Sequence, residues 1–123
     1  MMLNIDYRDA RPIYEQVAGG IEDMVVHGVY EAETQLPSVR QLAAELSINP
    51  NTIQRAFALL ESKGVIYSVK GRGNFVSADG ASVRDRRLAE ISAQLRELAK
   101  AARALGADDE LIQGWILEKG ETK

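Results

Sequence analysis

Two helix-start signals eleven residues apart constrain this chain more than any other feature. The first is Ser38, which follows Pro37 and precedes Gln41 by three positions, the pattern of a capping box. The second is Asn49-Pro50, a capping residue followed by proline where a missing N–H costs nothing. Between them Val39, Leu42, Ala43 and Leu46 share one apolar face, and Ser47-Ile48-Asn49 reads as a break. Beyond them Ile53, Ala56, Phe57 and Leu60 form the apolar stripe of a longer helix. Asn51, Arg55, Ala58 and Ser62 fall on its other side, and Gly64 ends it. Such spacing leaves room only for a short helix, a tight turn and a second helix.

The flanks complete the pattern. Pro12 opens an earlier helix in which Ile13, Val17, Ile21, Met24 and Val25 recur at helical spacing, to about His27, with Gly28 closing it. Gly19-Gly20 within it is unfavourable by roughly 1 kcal/mol per residue relative to alanine, which predicts close packing there. Leu3, Ile5 and Tyr7 alternate with polar neighbours in residues 1–11, as in a small strand or an extended arm. After Gly64, the runs Val65–Val69 and Asn74–Ser77 are β-prone. The Lys70-Gly71-Arg72-Gly73 between them suits a tight hairpin with charge at its tip. Helix, short helix, break, helix and basic hairpin is the order of a winged helix-turn-helix.

Ala78–Ala81 reads as a linker, and Ser82 to Asp85 as a second capping pattern. Leu88, Ile91, Leu95, Leu98, Ala102 and Leu105 then form a heptad seam, ended by Gly106. Asp108 can cap a last helix bearing Leu111, Ile112, Trp115 and Ile116, and residues from Gly120 read as a fraying end. The expected fold class is α+β, mainly α. A winged helix-turn-helix domain with an N-terminal arm spans 1–77, and a two-helix dimerisation tail spans 78–123.

The formal net charge of −3 looks wrong for a chain that would approach DNA, but its distribution does not. Residues 1–37 are acidic by five charges and 77–123 by one, whereas 38–76 carry an excess of three positive charges. Phosphates respond to the local field of one face. The absence of cysteine excludes disulfides and thiolate metal sites. No apolar signal segment or membrane-length run is evident, so a cytoplasmic location away from the membrane is expected.

The candidate contacts follow from groove geometry. The first turns of the second motif helix would meet base edges through Asn51, Thr52, Gln54 and Arg55: amides for adenine, a guanidinium for guanine or phosphate. Ser38 and Arg40 stand beside free backbone N–H groups at a helix start, a setting for phosphate. Lys70, Gly71 and Arg72 form the wing tip, suited to the backbone or the minor groove. The plainer reading makes Arg40 and Arg72 solvated surface charges and leaves the glycines to the turn alone. His27 reads as a partner for a helix C-terminus. Asp108-Asp109-Glu110 reads as acidic residues favoured at a helix start, so no metal is expected, nor any cofactor. One histidine, no cysteine and no phosphate-binding glycine loop argue against an enzyme.

Leu36-Pro37-Ser38-Val39-Arg40-Gln41-Leu42-Ala43, Asn49-Pro50-Asn51-Thr52-Ile53, Leu60-Glu61-Ser62-Lys63-Gly64 and Lys70-Gly71-Arg72-Gly73-Asn74-Phe75-Val76 resemble the GntR family of bacterial transcription regulators. Pro12-Ile13-Tyr14-Glu15-Gln16-Val17 matches the family's opening, so the resemblance covers about residues 5–77. The short tail and the Asn-Pro-Asn-Thr helix start resemble the YtrA-type subfamily. The resemblance implies a homodimer on a palindromic operator, usually a repressor, with Arg40, Asn51, Thr52, Gln54, Lys70 and Gly71 at DNA-contacting positions. Two departures stand out. Ala32-Glu33 occupies the place of a common Pro-Gly turn, and Pro50 the place of a basic residue in some relatives.

The seam fits either a second copy of the chain or its own last helix. A second copy is favoured, through Leu88, Ile91, Leu95, Leu98, Ala102, Leu105 and Trp115, because two-fold symmetry doubles what one small domain reads. A small effector stays open, as do the operator and the regulated genes. The alternative function is a winged-helix protein-interaction module without DNA binding.

Overall fold

The computed structural model describes residues 3–77 and 79–117. The outer ends of the two expected domains, and the fraying expected from Gly120, lie outside these residues. The elements run α1 (Ile13–Val26), α2 (Val39–Leu46), α3 (Pro50–Ser62), β1 (Ile66–Val69), β2 (Gly73–Val76), α4 (Gly80–Ala104) and α5 (Asp109–Leu117). The chain divides into two compact units, Met1–Asp85 and Arg86–Lys123. This is the α+β, mainly α winged helix-turn-helix, with a two-stranded antiparallel sheet as the wing.

The core of the first unit is the meeting of helical stripes. Val17, Ile21 and Val25 of α1 are buried with Ile53, Ala56, Phe57 and Leu60 of α3, and Leu42 and Ala43 of α2 join them. Val65, Ile66 and Val76 close the wing over the same core. Burying a side chain of this size contributes about 1.5–3 kcal/mol, so each stripe outweighs local propensity. Glu22 of α1 is also buried and lies 3.5 Å from the Lys63 Nζ at the end of α3, tying the two helices together.

Among its described residues the N-terminal arm forms no strand. Leu3 and Ile5 pack on the core, and buried Gln16 tethers the rest. Gln16 Oε1 accepts from the Asp6 N–H at 2.8 Å, and its Nε2 donates to the carbonyls of Asp6 and Arg11 at 2.9 and 3.1 Å. The close packing expected at Gly19-Gly20 belongs to Gly20, where a Cβ would collide with Leu3, and not to Gly19, which faces open space. His27 sits just past α1 with its Nδ1 2.8 Å from the Asp23 carbonyl, at the helix C-terminus.

α4 begins earlier than the Ser82 capping pattern suggests. Asp79 is the cap: its Oδ1 accepts the Ser82 N–H at 2.8 Å, and Gly80 and Ala81 are already helical. That hydrogen bond holds the Asp79 carboxyl below its ordinary pKa. Packing accounts for the early start. Val83 is fully buried in the first unit, and Gly80 lies against the end of α1, where a Cβ would stand 2.7 Å from the Val25 carbonyl oxygen.

In the second unit, α5 starts on Asp108, whose side chain accepts the Leu111 N–H at 2.9 Å. Ile112 is buried against α4, and Arg103 pairs with Asp109 at 2.8 Å. Among the described residues no helix is long and apolar enough to cross a membrane.

Gly80→Ala is expected to destabilise the protein by about 1–3 kcal/mol, because the obstructing atom is backbone and cannot move aside. Gly20→Ala should cost less, since the Leu3 side chain can rotate away. Urea unfolding of both variants checks the order, and equal losses would contradict it.

Candidate nucleic-acid interface

The candidate contact residues all lie in the first unit, on three exposed features. The first is the start of α2. Ser38 and Gln41 form a complete capping box: Ser38 Oγ accepts the Gln41 N–H at 3.0 Å, and Gln41 Oε1 accepts the Ser38 N–H at 2.8 Å. The Leu42 N–H returns to the Ser38 carbonyl. Val39 and Arg40 are left with N–H groups that helix geometry cannot satisfy internally. They sit at the positive end of the helix dipole with the exposed Arg40 guanidinium.

The second feature is the start of α3, which is built differently. Asn49 Oδ1 accepts the Asn51 N–H at 2.7 Å, its carbonyl takes the Thr52 and Ile53 N–H groups, and Pro50 has none to offer. The backbone donors of this end are spent. Asn51 and Gln54 are exposed and Thr52 is half-buried, so this end can act only through side chains. Arg55 is exposed but not loose: its guanidinium stacks on the Tyr14 ring of α1, 4.0 Å from the centroid.

The third feature is the wing. β1 and β2 pair in the register Ile66↔Val76 to Val69↔Gly73, leaving Lys70, Gly71 and Arg72 at an exposed tip. The Arg72 N–H closes the turn on the Val69 carbonyl at 2.9 Å. Gly71 has φ +79°, the region a tight turn fills with glycine. Tyr67 and Phe75 stack across the strands with ring centroids 5.7 Å apart.

Residues 33–36 add a short edge to this sheet. The Glu33 N–H donates to the Val76 carbonyl, Val76 N–H to Thr34, and Leu36 N–H to Asn74. Glu33 adopts φ +72° in the turn where the motif comparison placed a departure, and its carboxylate accepts the Tyr67 hydroxyl. Gln35 donates to the Arg72 carbonyl at 2.7 Å. Sequence reading missed Gln35 and Tyr14 because both act through contacts far along the chain.

The apolar residues of the expected dimer seam lie in the second unit and are largely bare. Leu98 is 68% and Leu105 91% exposed, while Leu88, Ile91, Leu95 and Trp115 are about half exposed. Ala102 is half-buried. A cavity of about 230 Å³ lies between α4 and α5, lined by Leu95, Leu98, Ala102, Ile112 and Trp115 among others. Asp108 and Asp109 are engaged in the cap and the ion pair already described, and the described residues hold no cluster of metal-ligating side chains.

A capped helix pair crossed by a hairpin with a basic tip defines the winged helix-turn-helix class. The chain belongs to the gntR family of bacterial regulatory proteins, whose family model matches residues 13–76. It is 34% identical to the HTH-type transcriptional repressor YtrA of Bacillus subtilis, over 95% of this chain and 91% of that protein. It is similar to the crystal structure of a transcriptional regulator from Oenococcus oeni, with TM-score 0.72 and 32% identity over 94% of this chain and 93% of the other. The AraR DNA-binding domain in complex with operator ORE1 is a third relative, with TM-score 0.54 and 27% identity over 63% and 94% of the two chains. The GntR and YtrA-type resemblance read from the motifs therefore holds.

Ser38→Ala should lower stability by about 1 kcal/mol through loss of the capping box. Thermal or urea unfolding measures this, and an unchanged midpoint would mean that α2 does not depend on its cap.

Proposed function

We propose that this chain is a cytoplasmic, sequence-specific regulator that binds double-stranded DNA as a homodimer and represses from a palindromic operator. One observation carries the reading: the open donors of α2, the exposed Asn51 and Gln54 side chains of α3 and the exposed Lys70 and Arg72 of the wing tip lie outside the core. The AraR domain bound to operator DNA shares this fold and supports the same use of it.

The roles divide by chemistry. Ser38 and Arg40, with the open N–H groups of α2, grip a phosphate. Asn51 and Gln54 offer amides to adenine edges, and Thr52 presents a methyl and a hydroxyl. Arg55, held by Tyr14, approaches a phosphate. Lys70, Gly71 and Arg72 meet the backbone or the minor groove beyond the helix. No step in this scheme requires an enzyme, a metal or a cofactor.

The tail supplies the pairing. Leu88, Ile91, Leu95, Leu98, Ala102, Leu105 and Trp115 form the surface that a second copy covers. Apolar area removed from water contributes about 25 cal/mol per Å², which favours covering these residues over leaving them wet. Two readers held by one two-fold axis meet two half-sites on one face of the duplex.

Footprinting should reveal a protected palindrome whose affinity falls steeply with salt. Arg40→Ala and Arg72→Ala should each weaken binding by about 1–3 kcal/mol, and unchanged affinity in both would remove them from the interface. Light scattering at micromolar concentration should give the mass of two chains, and Leu98→Asp should give that of one. A single-chain mass for the unaltered protein would sink the dimer.

A further inference from the structure

The wing is a hairpin of two four-residue strands, too small to hold its own shape in water. Its tip is anchored from outside. Gln35 Nε2 reaches 37 positions along the chain to donate to the Arg72 carbonyl at 2.7 Å. The Arg72 N–H is bound to Val69, so the peptide groups on both sides of Arg72 are held, one by the hairpin and one by Gln35. Gly73, at φ +120°, makes the room: a Cβ there would stand 2.9 Å from Gln35 Nε2. Backbone bonds from Thr34 and Leu36 to β2 hold Gln35 on either side. Two residues after Leu36 the chain reaches Ser38, the cap of α2. One short strip therefore touches the wing turn at Gln35 and sets the start of α2 at Ser38.

We propose that Gln35 is a positioning residue for phosphate recognition. Its bond to the Arg72 carbonyl fixes the wing tip relative to the start of α2, so that Arg72 and Arg40 meet the phosphates of one duplex in a single arrangement. The inference rests on the DNA-binding reading above. Gln35 itself touches no DNA. It removes disorder from the wing before binding, and so lowers the ordering cost of the complex.

Gln35→Met keeps the length of the side chain and removes the donor. The probe is the duplex that the unaltered full-length chain enriches from a random-sequence pool. The variant should bind it about fivefold more weakly, the size of one net hydrogen bond. The slope of log affinity against log salt should become shallower by up to about one, as for a weakened phosphate contact, with the unfolding midpoint unchanged. Arg72→Ala should cost less in the Gln35→Met background than in the unaltered chain. In the free protein, ¹⁵N relaxation should show the Gly71 and Arg72 amides more mobile on the picosecond–nanosecond scale.

Unchanged wing order in Gln35→Met overturns the proposal. So does full affinity with additive losses, or a lowered unfolding midpoint with an unchanged salt slope. Failure of the unaltered chain to enrich any duplex overturns the DNA reading and this use of Gln35 with it. The relaxation comparison then still decides whether Gln35 holds the wing.

Discussion

α3 must bury one stripe and leave the opposite face of its first turns bare, all within thirteen residues. Ile53, Ala56, Phe57 and Leu60 settle this by packing against Val17, Ile21 and Val25. Everything else in the first unit is placed by that contact. An eight-residue helix such as α2 is not stable alone, so it takes its position from Leu42 and Ala43 in the same core. The wing follows through Ile66 and Val76. The helix face that carries Asn51 and Gln54 is thus chosen by the face that cannot stay in water.

The two motif helices start on opposite principles. α2 keeps backbone donors open behind its cap, which suits any phosphate regardless of the base attached. α3 consumes its donors on Asn49 and forgoes one at Pro50. It is left with side chains, the only groups that distinguish one base edge from another. Pro50 belongs with this division: it brings neither charge nor donor to the helix start and makes that start firmer.

What was legible in the sequence was local. Ser38 with Gln41, Asn49 with Pro50 and the glycines around Arg72 act within four residues of themselves, and the structure places each as its spacing implies. The polar links between distant segments were not legible. Gln16 to Asp6, Arg55 to Tyr14 and Gln35 to Arg72 join residues from separate parts of the chain, and no periodicity marks them. The start of α4 shows the boundary between the two cases. Asp79 and Ser82 are both good caps by residue type, and the burial of Val83 and the fit of Gly80 against α1 favour Asp79. In the tail, the seam spacing and the apolar side of the last helix were plain, and spacing alone left open whether that helix or a second copy meets the seam; Ile112 packs onto α4.

The burial of Val83 also bears on how such a chain can be recombined. The natural seam for exchanging one tail for another looks like the stretch after the wing. Yet the first turn of α4 serves the core of the reader, with Gly80 against Val25 and Val83 inside. A crossover at the end of β2 would deliver a reader with an unfilled hole. One placed beyond Asp85 would deliver an intact reader joined to the new tail by a continuous helix, so modular inheritance here favours a splice point within a helix over one in a loop.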